Sequence, residues 1–153
     1  MFTPFVGLGH ADRKFLISRA TKWCEENLPI HHSGFPPDVK FRNMGVGIRG
    51  KYDAQFNTMV LSTTEIRDVR HLLKIFLHEW CHSVQDFEGY DEERANTSDW
   101  YYLTNKWELE ANRYKVVWYL LWIDIKRELG SSPTLTEQVV LSWNKFYREI
   151  LGF

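Results

Sequence analysis

His78, Glu79 and His82 have the residue types and the spacing that could do chemistry in this chain. They form the segment HEWCH, in which the two histidines are four positions apart. In a helix, residues four apart lie on the same face one turn above each other, so both imidazoles can reach one metal ion. Glu79 lies about 100° around the helix from His78, where it can act on a water bound to that ion. The segment therefore predicts two metal ligands and a base.

The motif lies in a long stretch whose apolar residues follow helical spacing. These apolar residues are Leu72, Leu73, Ile75, Phe76, Leu77, Trp80, Cys81 and Val84. They cover most sides of a helix predicted over 68–87, so we expect this helix to be buried. Buried histidine and glutamate side chains need partners, because an unpaired buried polar group is costly. A bound metal ion is such a partner.

A catalytic zinc ion usually has three protein ligands and one open position for water, so a third ligand is needed. The carboxylates of Glu88, Glu108 and Glu110 follow the motif in the chain. Glu108 and Glu110 differ by about 200° around a helix, so only one of them can face the ion. Glu88 could bind from a turn near Gly89. The remaining histidines lie in no zinc-like context and are predicted to be surface or loop residues: His10, His31, His32 and His71.

The stretch WELEAN, residues 107–112, resembles the second motif of the gluzincin metallopeptidases. In that motif, a helix after HExxH carries E-x-x-A or E-x-x-x-D/N. The resemblance implies that Glu108 is the third metal ligand and that Ala111 is the small residue that lets the helices approach. It also implies that Asn112 accepts a hydrogen bond from a ligating histidine and so fixes its orientation. Glu110 is then expected to face solvent.

The resemblance covers about residues 56–120 and is to minimal gluzincins and short ImmA/IrrE-type peptidases. It implies that Zn²⁺ is the cofactor and that peptide bonds are hydrolysed by a metal-bound water activated by Glu79. An oxyanion-stabilising side chain is also implied, and the candidates are Tyr90, Tyr101, Tyr102 and Tyr114. The metzincin pattern HExxHxxGxxH requires Gly and His where this chain has Gln85 and Glu88, which excludes that family.

The patterning predicts a single α+β domain over residues 1–153. We expect a zincin-like fold, with a small three-stranded sheet packed on the HExxH helix and on a Glu-bearing helix, and with flanking helices. The first helix is predicted over 12–27, with Asp12 as its N-cap. Its inward face consists of Leu16, Ala20, Trp23 and Cys24.

Three short strands are predicted at 39–44, 47–52 and 58–61, between glycine- and proline-rich turns. The first two strands are expected to be joined through Gly45. By the resemblance to zincins, the third strand is expected at the sheet edge beside the cleft. An exposed edge there could pair with an extended peptide substrate; the alternative is an ordinary strand of the sheet.

The Glu-bearing helix is predicted over 104–129 and is expected to end at Gly130. Its inward stripe consists of Trp107, Ala111, Tyr114, Trp118, Leu121 and Ile125. A last helix is predicted from Thr134, whose hydroxyl forms a capping box with Glu137. The acidic segment 86–99 is interpreted either as a solvated loop or as a lid that favours basic substrates.

Charge and apolar patterning indicate which classes of partner and which cellular compartment to expect. The formal net charge is -1, which predicts no nucleic-acid partner and no attraction to an anionic membrane. The segment 1–14 lacks the pattern of a signal peptide, and the apolar run 116–125 is too short to span a bilayer, so we expect a cytoplasmic protein. Cys24 and Cys81 form no disulfide framework, and Cys81 is expected to pack as a small apolar residue.

The expected partner is therefore a peptide or protein substrate. Two other classes of protein remain open. A catalytically silent zincin-like protein would bind the metal and act through contacts, although Glu79 has no use in a purely structural site. A helical interaction domain would carry the motif by coincidence and bind no metal.

Overall fold

The computed structural model describes residues 5–130 and residue 138. After a short 3-10 turn and a helix, the chain forms three strands and then a series of helices. The elements are α1 (His10–Asn27), β1 (Asp38–Arg42), β2 (Gly50–Asp53), β3 (Thr58–Ser62), α2 (Val69–Val84), α3 (Glu92–Thr97), α4 (Asp99–Thr104), α5 (Lys106–Tyr114) and α6 (Trp118–Glu128). The prediction of an α+β fold with a small three-stranded sheet is confirmed. The helix predicted from Thr134 lies outside the described residues.

The sheet has the strand order β1-β3-β2. β1 pairs with β3 in parallel, with Val39 opposite Met59, and β2 pairs with β3 in the antiparallel sense, with Tyr52 opposite Met59. The prediction that the third strand lies at the sheet edge is therefore wrong. β3 is central because it carries the apolar residues Met59 and Leu61, both fully buried, whereas its neighbours are mostly half-buried or exposed.

The inward face predicted for α1 is confirmed, since Leu16, Ala20, Trp23 and Cys24 are its buried residues. The helix begins at His10, and its N-cap is Gly9, whose position forms no side-chain capping bond. The prediction of Asp12 as N-cap is wrong. Asp12 instead lies in the first turn, where its charge is favourable for the helix dipole.

α2 is the most deeply buried helix of the described chain and carries the HEWCH segment. Asp68 caps it by accepting a hydrogen bond from the His71 backbone N–H at 2.8 Å. His71 itself is only 7% exposed, and its Nδ1 accepts a hydrogen bond from the Arg67 backbone N–H at 3.1 Å. The prediction that His71 is a surface or loop residue is therefore wrong. Cys81 is fully buried with a free thiol, as predicted.

The helix predicted over 104–129 is divided into α5, a 3-10 turn at Lys115–Val117, and α6. The predicted inward stripe is confirmed. Its buried residues are Trp107, Ala111, Tyr114, Leu121 and Ile125, and Trp118 is half-buried. Gly130 has a φ of 81°, and its N–H donates to the Arg127 carbonyl at 2.9 Å, which ends the helix as predicted.

The acidic segment between α2 and α5 includes two short helices. α3 is capped by Asp91 and buries none of its residues, and α4 follows it at once. The segment is therefore partly helical and lies on the surface. Within the described part of the chain, no helix combines the length and apolar composition required to cross a bilayer.

Candidate metal centre

The candidate centre lies between α2 and α5, which pack against each other. His78 and His82 lie on one face of α2, and Glu108 lies in the first turn of α5. The Asn105 side chain caps α5 by accepting a hydrogen bond from the Glu108 backbone N–H at 3.0 Å. Ala111 is fully buried on the same helix. The small side chain allows the close helix contact that brings the glutamate to the histidines.

The three side chains converge on one point. Nε2 of His78 lies 3.1 Å from Glu108 Oε2, and Nε2 of His82 lies 3.0 Å from Glu108 Oε1. The two Nε2 atoms are 3.1 Å apart. A tetrahedral ion with ligand bonds of about 2.05 Å separates its ligand atoms by about 3.4 Å. The arrangement therefore fits a zinc ion after a shift of a few tenths of an ångström, and these residues form a group that could hold a metal.

Amide side chains orient both imidazoles. Nδ1 of His78 lies 3.0 Å from Oδ1 of Asn112, and Nδ1 of His82 lies 2.7 Å from Oε1 of Gln85. An amide oxygen only accepts hydrogen bonds, so each Nδ1 carries a proton and donates it. The Nε2 atoms then face the centre, and a neutral ring presents a lone pair there. Such a donor set binds a cation.

The sequence did not assign Gln85 to the site, although it follows His82 by three positions. Its carbonyl oxygen faces His82, while its Nε2 donates to the Trp107 backbone carbonyl at 2.9 Å. This second bond fixes which end of the amide faces the imidazole. Gln85 therefore joins the end of α2 to the start of α5 directly beside the centre. The helical i, i+3 spacing was the signal that could have identified it.

The ionisation of the cluster also favours a bound cation. Burial raises the pKa of Glu108, but hydrogen bonds from His78 and His82 outweigh it and lower that pKa to about 2. Burial lowers the pKa of His82, but the hydrogen bond to Glu108 and the charge of Glu79 outweigh this effect and raise it. The carboxylate thus stays ionised and positive charge is stabilised beside it. A proton or a metal ion can supply that charge.

Glu79 lies beside the centre on the next position of α2. Its side chain is buried, at 6% exposure, and burial raises its pKa, against the opposing effect of His82 and His78. No hydrogen bond joins its carboxylate to another described residue. In the described chain, the side-chain polar atoms that are fully buried and have no hydrogen-bond partner belong to Arg13 and Arg19. The Glu79 oxygens are not among them, so they retain some contact with solvent. A water molecule can therefore reach the carboxylate.

The two rival carboxylates lie elsewhere. Glu88 is exposed, and its backbone N–H donates to Asp86 Oδ1 at 2.9 Å within a local turn. Glu110 is also exposed and accepts hydrogen bonds from Cys81 Sγ at 3.5 Å and from Gln85 Nε2 at 3.4 Å. Neither belongs to the group that could hold a metal. Glu108 is the glutamate that the structure brings to both histidines.

The four candidate tyrosines separate into two pairs. Tyr114 is buried, and its pKa is raised by burial first and then by the charge of Cys81. The Tyr101 hydroxyl accepts a hydrogen bond from the Asp91 backbone N–H at 2.9 Å. For Tyr90 and Tyr102, burial raises the pKa first and the charge of Glu108 raises it next. The charge of Glu79 also raises the pKa of Tyr102, whose side chain is half exposed.

A cavity of about 210 Å³ adjoins the centre at the C-terminal end of α2. It is lined by His82, by Ile30 and His31 of the loop after α1, and by Tyr52 of β2. His31 lies in a loop, as predicted, but it is only 9% exposed, and its Nδ1 lies 2.6 Å from the Ser33 hydroxyl. We call the strip of surface that runs from Gly50 and Glu79, past the centre, to this cavity the groove.

No protein family, curated protein or solved structure matches the chain. The gluzincin resemblance is carried by the short segments HEWCH and WELEAN. The side chains of the centre and their geometry are therefore the basis for assigning a function.

Proposed function

We propose that the protein is a zinc-dependent metallopeptidase in which His78, His82 and Glu108 hold the metal and Glu79 is the general base. The convergence of both Nε2 atoms on the Glu108 carboxylate carries the proposal. Two histidines and one glutamate are a ligand set of catalytic zinc sites, and three protein ligands leave one position open. When bound, zinc lowers the pKa of a water ligand to about 7 and polarises the carbonyl of an amide.

Glu79 performs the proton transfers in this proposal. It takes a proton from the attacking water and delivers it to the leaving amine. Its pKa is raised by burial, so the carboxylate is a stronger base than an exposed glutamate and a better acid partner near neutral pH. A purely structural metal site has no use for such a base, and this favours an enzyme over a silent metal-binding protein.

We infer that Tyr102 is the side chain that stabilises the oxyanion. Burial raises the pKa of Tyr102 first, and the charges of Glu108 and Glu79 raise it further. Its half-exposed phenol in α4 leaves the O–H free to donate to a substrate carbonyl. As negative charge develops on that oxygen, a donor in this position lowers the barrier.

The outer edge of β2 supports binding of an extended peptide. β2 pairs with β3 on one side, and no described strand pairs with its other side. It passes the centre, because Gly50 lies against Glu79 and Tyr52 lines the cavity beside His82. A peptide could add to this edge in the antiparallel sense, with its scissile bond near the centre. β2 thus takes the role that the sequence assigned to β3.

The first test is the metal content of protein purified without added metal, measured by elemental mass spectrometry for the wild type and His78→Ala. We expect about one zinc per chain in the wild type and loss of zinc in the variant. Zinc-loaded protein is then incubated with a digested proteome, with Glu79→Gln as control, and new peptide termini are identified by mass spectrometry.

New termini in the wild type alone would support the peptidase. Zinc binding without cleavage would favour the silent metal-binding protein. No metal, and no uptake on titration with zinc, would eliminate both and leave a helical interaction domain with a coincidental motif.

A further inference from the structure

Lys115 directly follows α5 and continues the side of that helix on which Glu108 lies. α5 runs antiparallel to α2, since Trp107 contacts Gln85, Glu108 contacts His82, and Asn112 contacts His78. Lys115 follows Glu108 by seven residues, which is two helical turns. The 3-10 turn that begins at Lys115 packs against α2. Lys115 therefore lies beyond His78, toward the N-terminal half of α2.

Arg49 approaches the same region from the sheet. It directly precedes Gly50, where an added Cβ would meet Ile75 and Glu79 of α2. Burial lowers the pKa of Lys115 first, and the charge of Arg49 lowers it next. The pKa of His71 is lowered first by burial and then by Arg67, Arg49 and Lys115. Arg49 and Lys115 therefore both approach the N-terminal half of α2, Arg49 from the sheet and Lys115 from the turn after α5.

Neither cation is paired within the described chain. The ion pairs of the described residues include those of Arg19 with Asp124 and Glu128 and those of the two histidines with Glu108, and none is described for Arg49 or Lys115. The charges of Glu108 and Glu79 favour the charged form of Lys115. A doubly charged zinc ion would neutralise those two carboxylates. The loaded site would then leave these two positive charges, one of them half-buried, without a partner.

We propose that Arg49 and Lys115 bind a carboxylate of the substrate on the C-terminal side of the scissile bond. This rests on the proposed peptidase function. Arginine can hold a carboxylate with two parallel hydrogen bonds, and lysine adds a compact charge. The carboxylate is either the C-terminus of the peptide or the side chain of an aspartate or glutamate.

The direction of β2 determines which side of the substrate meets the cations. β2 begins at Gly50, against Ile75 and Glu79, and passes Tyr52 at the cavity beside His82. A peptide added in the antiparallel sense runs the opposite way. Its N-terminal residues lie at the cavity, and its C-terminal residues lie at Arg49 and Lys115.

The other end of the groove has the opposite charge. The acidic segment 86–99 follows the C-terminal end of α2, and the cavity reaches Phe87 within it. A carboxylate at that end would meet repulsion, whereas one at the Arg49 and Lys115 end meets attraction. The groove therefore distinguishes the two ends of a peptide by charge.

The test compares matched substrates of the zinc-loaded protein. One peptide cleaved from the digested proteome is made with a C-terminal acid or amide, and with glutamate or glutamine at each of the three positions after the cleaved bond. We expect kcat/KM for one carboxylate form to exceed that of its neutral partner at least tenfold. The pair that shows the difference identifies the source of the carboxylate.

Variants then test whether Arg49 and Lys115 cause this preference for the carboxylate form. We expect the ratio to fall below threefold in Lys115→Gln and in Arg49→Gln, and to be largely restored in Lys115→Arg. Lys40→Gln is the matched control, because it removes the same charge from an exposed position on β1, at the opposite edge of the sheet. Equal kcat/KM for carboxylate and neutral forms in the wild type, or a ratio that survives in both variants, would overturn the inference.

The two proposals fail differently. If no peptide is cleaved, the peptidase proposal fails, and binding then tests the cationic site by itself. The probes are N-acetylated alanine hexapeptides with a C-terminal acid or amide and with one glutamate or glutamine, titrated into zinc-loaded protein by calorimetry. Tighter binding of a carboxylate form, lost in Lys115→Gln, would support the site. Equal affinities would overturn it.

Discussion

Gly50 lies directly against the proposed general base Glu79. A Cβ added to Gly50 would lie 3.2 Å from Glu79 Cγ, 3.3 Å from Glu79 Oε1 and 2.8 Å from Cγ2 of Ile75. These distances are shorter than ordinary van der Waals contact. The absence of a side chain at this position thus allows the edge strand and the motif helix to approach closely enough to enclose Glu79.

Gly50→Ala should therefore reduce both stability and hydrolysis. The added methyl group must displace Ile75 or Glu79, and overpacking of this kind costs about 1–3 kcal/mol. Zinc content should remain near that of the wild type, because the ligands lie elsewhere. Denaturant unfolding, elemental analysis and peptide cleavage measure the three effects. Gly7→Ala is the control, since nothing lies within 4 Å of its added Cβ. Unchanged stability and cleavage in Gly50→Ala would contradict the close packing.

Glu108→Ala should lose zinc, because Glu108 is the carboxylate that meets both imidazoles. We expect zinc affinity to fall by more than about a hundredfold, beyond the loss expected for residues that only orient ligands. A competition titration with a coloured chelator measures it. Glu88→Ala should bind zinc as the wild type does. Full affinity in Glu108→Ala would disprove the ligand assignment and make Glu88 the next candidate.

Gln85→Leu should weaken zinc binding by about 10- to 100-fold, because it removes the acceptor that orients His82. It also removes the hydrogen bond to Trp107 that joins α2 and α5. The same chelator competition gives the affinity. Gln55→Leu makes the same chemical change at an exposed turn position and should have no effect. Equal affinities of the two variants would show that His82 needs no orienting amide.

Glu79→Gln should retain zinc but lower kcat by about 10² to 10⁴, since glutamine cannot transfer the proton. It should also change the pH dependence of the metal-free protein. The folded pKa of Glu79 is raised, so its contribution to stability is present at low pH and is lost as pH rises through that pKa. Glutamine has no such loss. The variant should gain stability over the wild type at neutral pH but not at acid pH, as urea unfolding at both values will show.

His71 should make the protein sensitive to acid. Its pKa is lowered to about 4 by burial first and then by Arg67, so the unfolded chain binds its proton at a higher pH than the folded chain does. Stability is therefore lost as pH falls from 6.5 toward 4, by about 2 kcal/mol between pH 7 and pH 5. Urea unfolding of His71→Gln should show a smaller loss. His10→Gln, at an exposed position, should lose as much as the wild type. An equal loss of stability in the wild type and both variants would rule out His71 as the cause of the acid sensitivity.

The parts of the structure that depend on local spacing could be predicted from the sequence. The buried face of α1 follows from residues three or four apart, and the same rule places His78 and His82 on one side of α2. Gly130 marks a helix end because it adopts a positive φ without steric cost. The prediction that Glu108 joins the two histidines depends on its match to a short motif and not on periodicity.

The parts that depend on tertiary packing could not be predicted in this way. Nothing local shows that β1 pairs with β3, because the connection from β1 to β2 could also have formed a hairpin. The 3-10 turn at Lys115–Val117 contains no glycine or proline to interrupt the helical pattern. Buried His71 and the contact between Gly50 and Glu79 both depend on how α2 packs against its neighbours.

The proposed ligands come from two helices that are separated in the chain by α3 and α4. A metal ion held by His82 and Glu108 would therefore act as a reversible crosslink between the two ends of the segment that contains α3 and α4. Opening of α5 away from α2 would require the ion to be released first, which makes such fluctuations rarer by the free energy of metal binding. Amide hydrogen exchange in α5 would then slow on zinc addition and recover with a chelator. The metal would thus determine how often this surface segment opens locally as well as what the site catalyses.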